Sequence, residues 1–235
     1  MIISLWSGPR NCSTALMYSM AQRDDMAVRD EPLFGHFLAS TGAARPSREE
    51  TMAQWPTTSE GALAWCKPAD DGPQHLFLKH MGNHIAGLPM DAFSGHHHVI
   101  LTRHPDAVMK SYSAHVNEPT MEDLCYLNQL AWAEQCIEAG WPLYVIESDA
   151  LLENPREVLE KFCAWLGLAW DERMMQWKPG ARPEDGPWAK YWYERVHRST
   201  GWEPRPPKIH PVAIQMQELR DEALKLYQTL LSING

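Results

Sequence analysis

Five short apolar runs of β-strand character alternate with stretches of helical character, and this alternation limits the fold more than any other feature. The runs are Ile2 to Trp6, Met26 to Asp30, His75 to Lys79, His98 to Thr102 and Leu143 to Glu147. Strands that alternate with helices are typical of βαβ units, whose strands are parallel. We therefore predict an α/β fold, a three-layer sandwich with a mostly parallel central sheet, in a single domain over residues 1–235.

The predicted helices fill most of the segments between these runs. They are Ser13 to Gln22, Asp106 to His115, Thr120 to Ala139, Pro155 to Leu166 and Pro211 to Leu231. Two stretches, Thr41 to Gly72 and Lys178 to Lys208, show no regular pattern. The second is rich in Pro, Trp and Arg, and we interpret it as a long ordered excursion near the functional site. In parallel sheets ligands bind at the carboxyl ends of the strands, so we expect the site in the turns that follow them.

The composition excludes several classes of function. The 235 residues include 21 Lys and Arg against 30 Asp and Glu, a net charge of −9, which argues against nonspecific binding of nucleic acid. No apolar run reaches the ~18 residues of a membrane helix, and no signal peptide is recognisable. The five cysteines are scattered and form no CxxC pair. We expect a cytoplasmic protein with neither a nucleic-acid nor a membrane partner, and without a metal.

The turn after the first predicted strand has the properties of an anion site. A tight turn that leads into a helix presents backbone N–H groups and a partial positive charge, which suit a phosphate. Arg10 adds a permanent cation, and Asn11, Ser13 and Thr14 add hydrogen-bond donors. The segment is not a Walker A loop, because its Lys and second Gly are missing. The alternative is an ordinary capped turn between a strand and a helix.

A second motif follows the fourth predicted strand. Arg103 comes directly after the strand, and Ser111 follows eight residues later, beyond Pro105. About two helical turns separate the serine from the break at the proline, so the hydroxyl can return to the face beside the arginine. An arginine with a hydroxyl would form a second phosphate site. The alternative is a surface arginine with a solvent-facing serine.

Together the two motifs resemble the PAPS-dependent sulfotransferases. The segment PRNCSTAL, Pro9 to Leu16, is similar to the family's 5′-phosphosulfate loop, and Arg103, Pro105 and Ser111 match its 3′-phosphate motif in order and spacing. A third segment, Tyr144 to Leu168, is similar to a strand, acidic pair, Asn-Pro and helix of the family. The resemblance is closest to bacterial sulfotransferase-like proteins, and it implies a P-loop NTPase-like sulfotransferase fold.

The resemblance also implies an activity and a set of ligands. The protein would move a sulfuryl group from PAPS, 3′-phosphoadenosine 5′-phosphosulfate, to a hydroxyl or amine of a small-molecule acceptor, without a metal. The implied cofactor-binding residues are Arg10, Asn11, Cys12, Ser13, Thr14, Arg103 and Ser111. The chain departs from the family pattern at four places. Cys12 stands where the family usually has Gly, and Asn11 replaces the common Ser. Ser148-Asp149 replaces a Glu-Asp pair, and the C-terminal PAPS loop has only a faint echo between Gly186 and Trp192.

Three residues are candidates for the chemistry of transfer, which needs a base for the acceptor proton and cations for the leaving group. His80, in a segment similar to the family's Lys-Thr-His, is the first candidate base, because the pKa of imidazole suits proton transfer near neutrality. Glu31 resembles the acidic base of carbohydrate and glycolipid sulfotransferases, and Lys79 is a candidate to stabilise the bridging oxygen. The alternatives are a hydrogen-bonded wall histidine, a surface carboxylate and a solvated strand-end lysine. His36 and His84 are weaker candidates.

Two other functions stay open at this point. One is an ATP-dependent P-loop kinase or phosphotransferase, which the absence of a Walker-type lysine disfavours. The other is a catalytically inactive nucleotide-binding accessory protein, which Cys12 and the weak C-terminal loop keep in consideration. The sequence identifies neither the acceptor nor the oligomeric state.

Overall fold

A five-stranded sheet with strand order β2-β3-β1-β4-β5 forms the centre of the protein. The structure is a computed structural model that describes residues 1–85, 87–112, 119–204 and 216–234. The strands are β1 (Ile2–Ser7), β2 (Met26–Asp30), β3 (His75–Met81), β4 (His97–Thr102) and β5 (Leu143–Glu147). Every pairing between neighbouring strands is parallel. The predicted α/β class and parallel sheet are confirmed.

Helices connect the strands and continue beyond the last one. They are α1 (Ser13–Met20), α2 (Phe34–Thr41), α3 (Arg48–Gln54), α4 (Ser59–Trp65), α5 (Pro105–Tyr112), α6 (Met121–Leu124), α7 (Tyr126–Ala139), α8 (Ser148–Glu153), α9 (Pro155–Leu166), α10 (Ala189–Trp192), α11 (Glu194–Arg198) and α12 (Gln217–Leu231). No described helix combines the length and apolarity needed to cross a membrane. Residues 113–115 and 211–215 of two predicted helices lie outside the described residues.

The stretches without a regular pattern contain short helices. Helices α3 and α4 lie between residues 41 and 72, and α10 and α11 lie in the excursion after residue 178. Local capping still defines some helix ends. The Thr58 hydroxyl accepts a hydrogen bond from the backbone N–H of Gly61 at the start of α4. Pro155 opens α9, and Gly167 ends it in the left-handed conformation.

Both faces of the sheet are covered by apolar layers. Ile3 and Leu5 of β1 point to one face, where they pack with residues of α1, α8 and α9. Trp6 points to the other face, where it packs with residues of α5, α7 and α12. Because a parallel sheet is buried on both sides, its strands are apolar along nearly their whole length. The structure therefore has the predicted three layers, and the ends of β1 to β4 meet at one edge of the sheet.

Candidate active site

The carboxyl ends of β1 to β4 open into a cavity of about 290 Å³. Its walls come from the turns after these strands and from the excursion that carries α10 and α11. Nine of the ten predicted site residues line it, namely Arg10, Asn11, Cys12, Ser13, Thr14, Glu31, Lys79, Arg103 and Ser111. The lining residues come from positions between Gly8 and Glu203 in the chain, and they meet at the edge of the sheet where ligands of α/β proteins bind.

The loop between β1 and α1 has two residues in the left-handed conformation. Arg10 has φ 59° and Cys12 has φ 63°. Helix α1 begins directly after Cys12, so its free N–H groups start at the cavity. A turn of this kind, at a helix N-terminus, collects backbone N–H groups and favours an anion. Cys12 adopts the conformation that a glycine adopts without strain, which accounts for the glycine of the family pattern. Burial raises the pKa of the Cys12 thiol, so the loop cysteine is held as a neutral thiol.

Two buried hydrogen bonds hold the loop between β1 and α1 against β4 and the start of α8. The amide Nδ2 of Asn11 donates to the carbonyl oxygen of Leu101 in β4 at 2.8 Å. The hydroxyl of Ser148, directly after β5, donates to the carbonyl oxygen of Asn11 at 2.7 Å. Both bonds are buried, so the loop is fixed to the sheet from below.

The two predicted phosphate motifs meet in the cavity. Nε of Arg10 donates a 2.8 Å hydrogen bond to Oγ of Ser111. Nη1 of Arg103 donates to the carbonyl oxygen of Arg10 at 3.0 Å. The carboxylate of Asp149 accepts from Nε and Nη2 of Arg103 at 2.9 and 2.8 Å. The hydroxyl of Tyr126 in turn donates to the carbonyl oxygen of Arg103 at 2.6 Å. Both arginines are therefore oriented before any ligand binds.

A buried cluster of charged groups occupies the other side of the cavity, at the ends of β2 and β3. The ammonium of Lys79 donates to Asp30 Oδ1 at 2.7 Å, to Glu31 Oε1 at 2.6 Å and to the hydroxyl oxygen of Tyr193 at 2.7 Å. The hydroxyl of Tyr193 donates to the Asp30 carboxylate, and the indole N–H of Trp188 donates to the hydroxyl oxygen. Lys79 has three N–H donors, and these three partners use all of them.

Burial and the neighbouring charges of this cluster shift the pKa of Glu31. Burial raises the pKa of Glu31 to about 7; the Lys79 ammonium opposes this shift and the Asp30 carboxylate adds to it. Burial alone would lower the pKa of Lys79, but the carboxylates of Asp30 and Glu31 raise it well above its usual value. Glu31 also has φ 43°, a strained conformation of the kind that clusters at active sites. The cluster therefore contains a permanently charged lysine beside a carboxyl group that titrates near neutrality.

His80 lies outside the described lining of the cavity. Its ring stacks on Trp6 with centroids 4.3 Å apart, and neither ring nitrogen has a hydrogen-bond partner among the described residues. Burial lowers the pKa of the imidazole well below its usual value. Successive side chains of a strand point to opposite faces. Because Lys79 reaches the cavity, the side chain of the next residue, His80, points to the other face of the sheet. The structure thus does not bring His80 to the site, and we withdraw it as a candidate base.

Of the two weaker histidine candidates, His84 is among the described residues that line the cavity and His36 is not. His84 lines the cavity, and its Nδ1 lies 3.7 Å from Oε2 of Glu31. The ring stacks on Phe34 and Phe37, and burial lowers its pKa well below the usual value, so it is a neutral neighbour of the carboxylate. His36 lies outside the described lining of the cavity and contacts the carbonyl oxygen of Thr57 at 3.4 Å.

Several cavity residues have no local signal in the sequence. They come from the loop before α3 and from the excursion, and they are Arg45, Trp188, Trp192, Tyr193 and Arg195. The density of Trp and Arg in the excursion pointed to the region but not to the residues. Lys79 and Tyr193 are 114 positions apart, and only the folded chain shows that they are bonded.

Comparison with known proteins decides the family. A family model for the sulfotransferase domain matches residues 1–233. The chain belongs to the sulfotransferase domain family. The predicted membership of the sulfotransferase family is thereby confirmed.

Two plant proteins are similar to this chain in sequence. The chain is 33% identical over 232 residues to branched-chain-amino-acid aminotransferase-like protein 2 of Arabidopsis thaliana and 34% identical over 234 residues to protein 1 of the same name. The aligned parts cover 97% and 98% of this chain. The chain spans only 41% and 42% of the length of these curated relatives.

Solved sulfotransferases share the fold. The sulfotransferase domain from the Synechococcus PCC 7002 olefin synthase has a TM-score of 0.59 at 17% identity, with 97% of this chain and 93% of that chain covered. The sulfotransferase domain from the curacin biosynthetic pathway has a TM-score of 0.56 at 14% identity, with 94% and 96% covered. A sulfotransferase from Alicyclobacillus acidocaldarius has a TM-score of 0.52 at 15% identity, with 75% of this chain and 86% of that chain covered. The fold is that of the P-loop-like sulfotransferases.

Proposed function

We propose that this protein is a PAPS-dependent sulfotransferase that transfers the sulfuryl group to a hydroxyl or amine of a small-molecule acceptor. One observation carries the proposal. Two motifs that each suit a phosphate, the loop after β1 and the Arg103–Ser111 pair, are joined in one cavity by the hydrogen bond from Arg10 to Ser111. A nucleotide with phosphates at both its 5′ and 3′ positions fits such a pair of anion sites.

The donor would lie on the side of the cavity formed by β1 and β4. The loop N–H groups, Arg10 and the hydroxyls at the start of α1 would hold the 5′-phosphosulfate. Arg103 and Ser111 would hold the 3′-phosphate. Arg195 of α11 also lines the cavity, and it adds a third guanidinium to this side of a protein that is acidic overall. A few arginines in a cleft dominate the local field, whatever the net charge.

Glu31 is the general base of the proposed reaction. It removes the proton from the acceptor hydroxyl or amine while a lone pair of that atom forms a bond to sulfur. The bond between sulfur and the bridging oxygen breaks, and its electron pair stays on the 5′-phosphate of the departing adenosine 3′,5′-bisphosphate. Arg10 and the loop N–H groups stabilise the charge that develops on this phosphate.

The contacts of Lys79 favour a different role from stabilisation of the bridging oxygen, which the sequence suggested. Because its three N–H donors are used by Asp30, Glu31 and Tyr193, we propose that it orients Glu31 and neutralises Asp30, and that it does not contact the bridging oxygen. The acceptor would lie beside Glu31 against the rings of Phe34 and Trp188, which line the same cavity. Aromatic walls of this kind favour the apolar or flat body of a small organic molecule.

Transfer of radioactive sulfate from [35S]PAPS tests the proposal. The acceptor panel contains phenols, sugars, aliphatic alcohols and amino-acid derivatives, the last because of the names of the plant relatives. We expect a labelled product with one of these classes, which is lost with Glu31→Gln. Labelled phosphate transfer from [γ-32P]ATP, with none from PAPS, would instead establish a kinase. Binding of PAPS without any turnover would indicate the accessory protein.

A further inference from the structure

The first two residues of α8, Ser148 and Asp149, hold two consecutive carbonyl groups of the loop between β1 and α1. The hydroxyl of Ser148 donates to the carbonyl oxygen of Asn11 at 2.7 Å. Arg103 donates to the carbonyl oxygen of Arg10 at 3.0 Å, and Asp149 fixes Arg103 through two bonds of 2.9 and 2.8 Å. One dipeptide, Ser148-Asp149, thus acts on both carbonyls, once directly and once through an arginine.

These two contacts set the direction of the next two N–H groups. In a trans peptide the C=O of one residue and the N–H of the following residue point in opposite directions. A carbonyl of Arg10 that is bonded to Arg103 turns the N–H of Asn11 away from Arg103. In the same way the bond from Ser148 to the Asn11 carbonyl turns the N–H of Cys12 away from Ser148. Ser148 and Arg103 therefore fix the orientation of the N–H groups that the loop offers to an anion.

The contacts with Asp149 and with the Arg10 carbonyl oxygen leave two N–H groups of Arg103 free. A guanidinium has five N–H groups. Asp149 takes those on Nε and Nη2, and the Arg10 carbonyl takes one on Nη1, which leaves one on Nη1 and one on Nη2. Two N–H groups on adjacent nitrogens match two oxygens of one phosphate. Asp149 is only 14% exposed, so water competes little for this contact.

We propose that Ser148 and Asp149 are positioning residues of the donor site, with separate effects on its two ends. Asp149 sets recognition of the 3′-phosphate by holding Arg103, and Ser148 sets recognition of the 5′-group by holding the loop. The inference rests on the proposed function, because it takes PAPS as the donor. It gives a role to a pair of residues at which the chain departs from the family pattern.

Calorimetric binding of two nucleotides separates the two effects. Adenosine 3′,5′-bisphosphate (PAP) carries both phosphates, and AMP carries only the 5′-phosphate. We expect Asp149→Asn to weaken PAP binding about tenfold, because the charge-assisted contact that orients the free donors of Arg103 is lost. AMP binding should stay within about twofold, because Arg103 still donates to the Arg10 carbonyl oxygen. Ser148→Ala should weaken PAP and AMP by the same factor, about threefold to fivefold. In an Arg103→Ala background, Asp149→Asn should have no further effect on PAP.

Three controls keep the result interpretable. Glu157→Gln removes a carboxylate from an exposed ion pair on α9, and Ser232→Ala removes an exposed hydroxyl; neither should change nucleotide binding. Asp149→Glu keeps the carboxylate and should restore part of the affinity for PAP if Asp149→Asn folds poorly. A merely structural role would weaken PAP and AMP together in the Asp149 variants.

The outcomes distinguish the two proposals. If the wild-type protein does not prefer PAP to AMP, the proposed donor is wrong. If it does prefer PAP, but Asp149→Asn keeps that preference or still acts in the Arg103→Ala background, the role of Asp149 is overturned alone. The role of Ser148 is overturned if Ser148→Ala binds both nucleotides as tightly as the wild type.

Discussion

Arg10 and Ser111 are 101 positions apart in the chain, and Nε of Arg10 donates a 2.8 Å hydrogen bond to the serine hydroxyl. Each residue belongs to a motif that suits a phosphate. The hydrogen bond therefore joins the two motifs into a single site. It also orients the guanidinium before the donor binds, which reduces the entropy that binding costs.

Arg10→Ala should weaken PAP binding by more than Ser111→Ala. The arginine supplies a charge and several donors, whereas the serine supplies one neutral hydroxyl. We expect a loss of about tenfold to a hundredfold for the arginine and less than about tenfold for the serine. Isothermal calorimetry at fixed ionic strength measures both. Equal affinity of Arg10→Ala and wild type would show that the loop does not bind the nucleotide.

The carboxyl group of Glu31 should titrate near neutral pH. Its pKa is raised to about 7, so the base is mostly protonated below that value, and the rate of transfer should rise with pH through this range. NMR of the protein labelled with 13C at the glutamate carboxyls follows the titration without an acceptor. One signal that moves near pH 7 should be missing in Glu31→Gln. A Glu31 signal that titrates near pH 4 would contradict its assignment as the base.

Tyr193→Phe should destabilise the protein. The hydroxyl is bonded to Lys79, Asp30 and Trp188, and its loss leaves buried polar groups with fewer partners. We expect a decrease of about 1–3 kcal/mol in the free energy of unfolding, measured with urea. Tyr191→Phe is the matched control, because Tyr191 is two residues away and 48% exposed. Equal effects of the two substitutions would contradict the role of the buried hydroxyl.

His80→Phe should keep sulfuryl transfer and reduce the sensitivity of the fold to acid. Burial lowers the pKa of His80 well below its usual value, so the unfolded chain binds a proton at pH values where the folded chain does not. Stability therefore falls as the pH decreases below the unfolded value of about 6.5. Urea unfolding at pH 7.5 and pH 5.0 should show a smaller difference for the variant than for wild type.

The sheet was predictable because its signal is local. A short apolar run marks each strand, and the observed bounds differ from the predicted ones by at most two residues. Helix α2 was not predicted, since the segment FGHFLAST has a glycine, a serine and a threonine among its eight residues. Tertiary contacts stabilise it, as Phe34, Phe37 and Leu38 are buried in an apolar cluster.

The site was predictable where its residues lie at the ends of strands or belong to a motif of fixed spacing. Arg10, Glu31, Lys79 and Arg103 lie near or just after the carboxyl ends of strands, and the topology brings them to the cavity. The prediction for His80 was wrong, because a shift of one residue along a strand places the side chain on the opposite face of the sheet. The bond between Lys79 and Tyr193 depends on the path of a long excursion, which no local pattern specifies.

Binding of PAP to wild type and Arg103→Ala, with ATP and AMP as competitors, tests the central claim most directly. The account predicts that wild type binds PAP more than about tenfold tighter than ATP or AMP, because the 3′-phosphate gains charge-assisted hydrogen bonds. Arg103→Ala should remove that preference. Binding of PAP that is no tighter than that of ATP, or a preference that survives in Arg103→Ala, would contradict the assignment of this cavity to a sulfuryl donor.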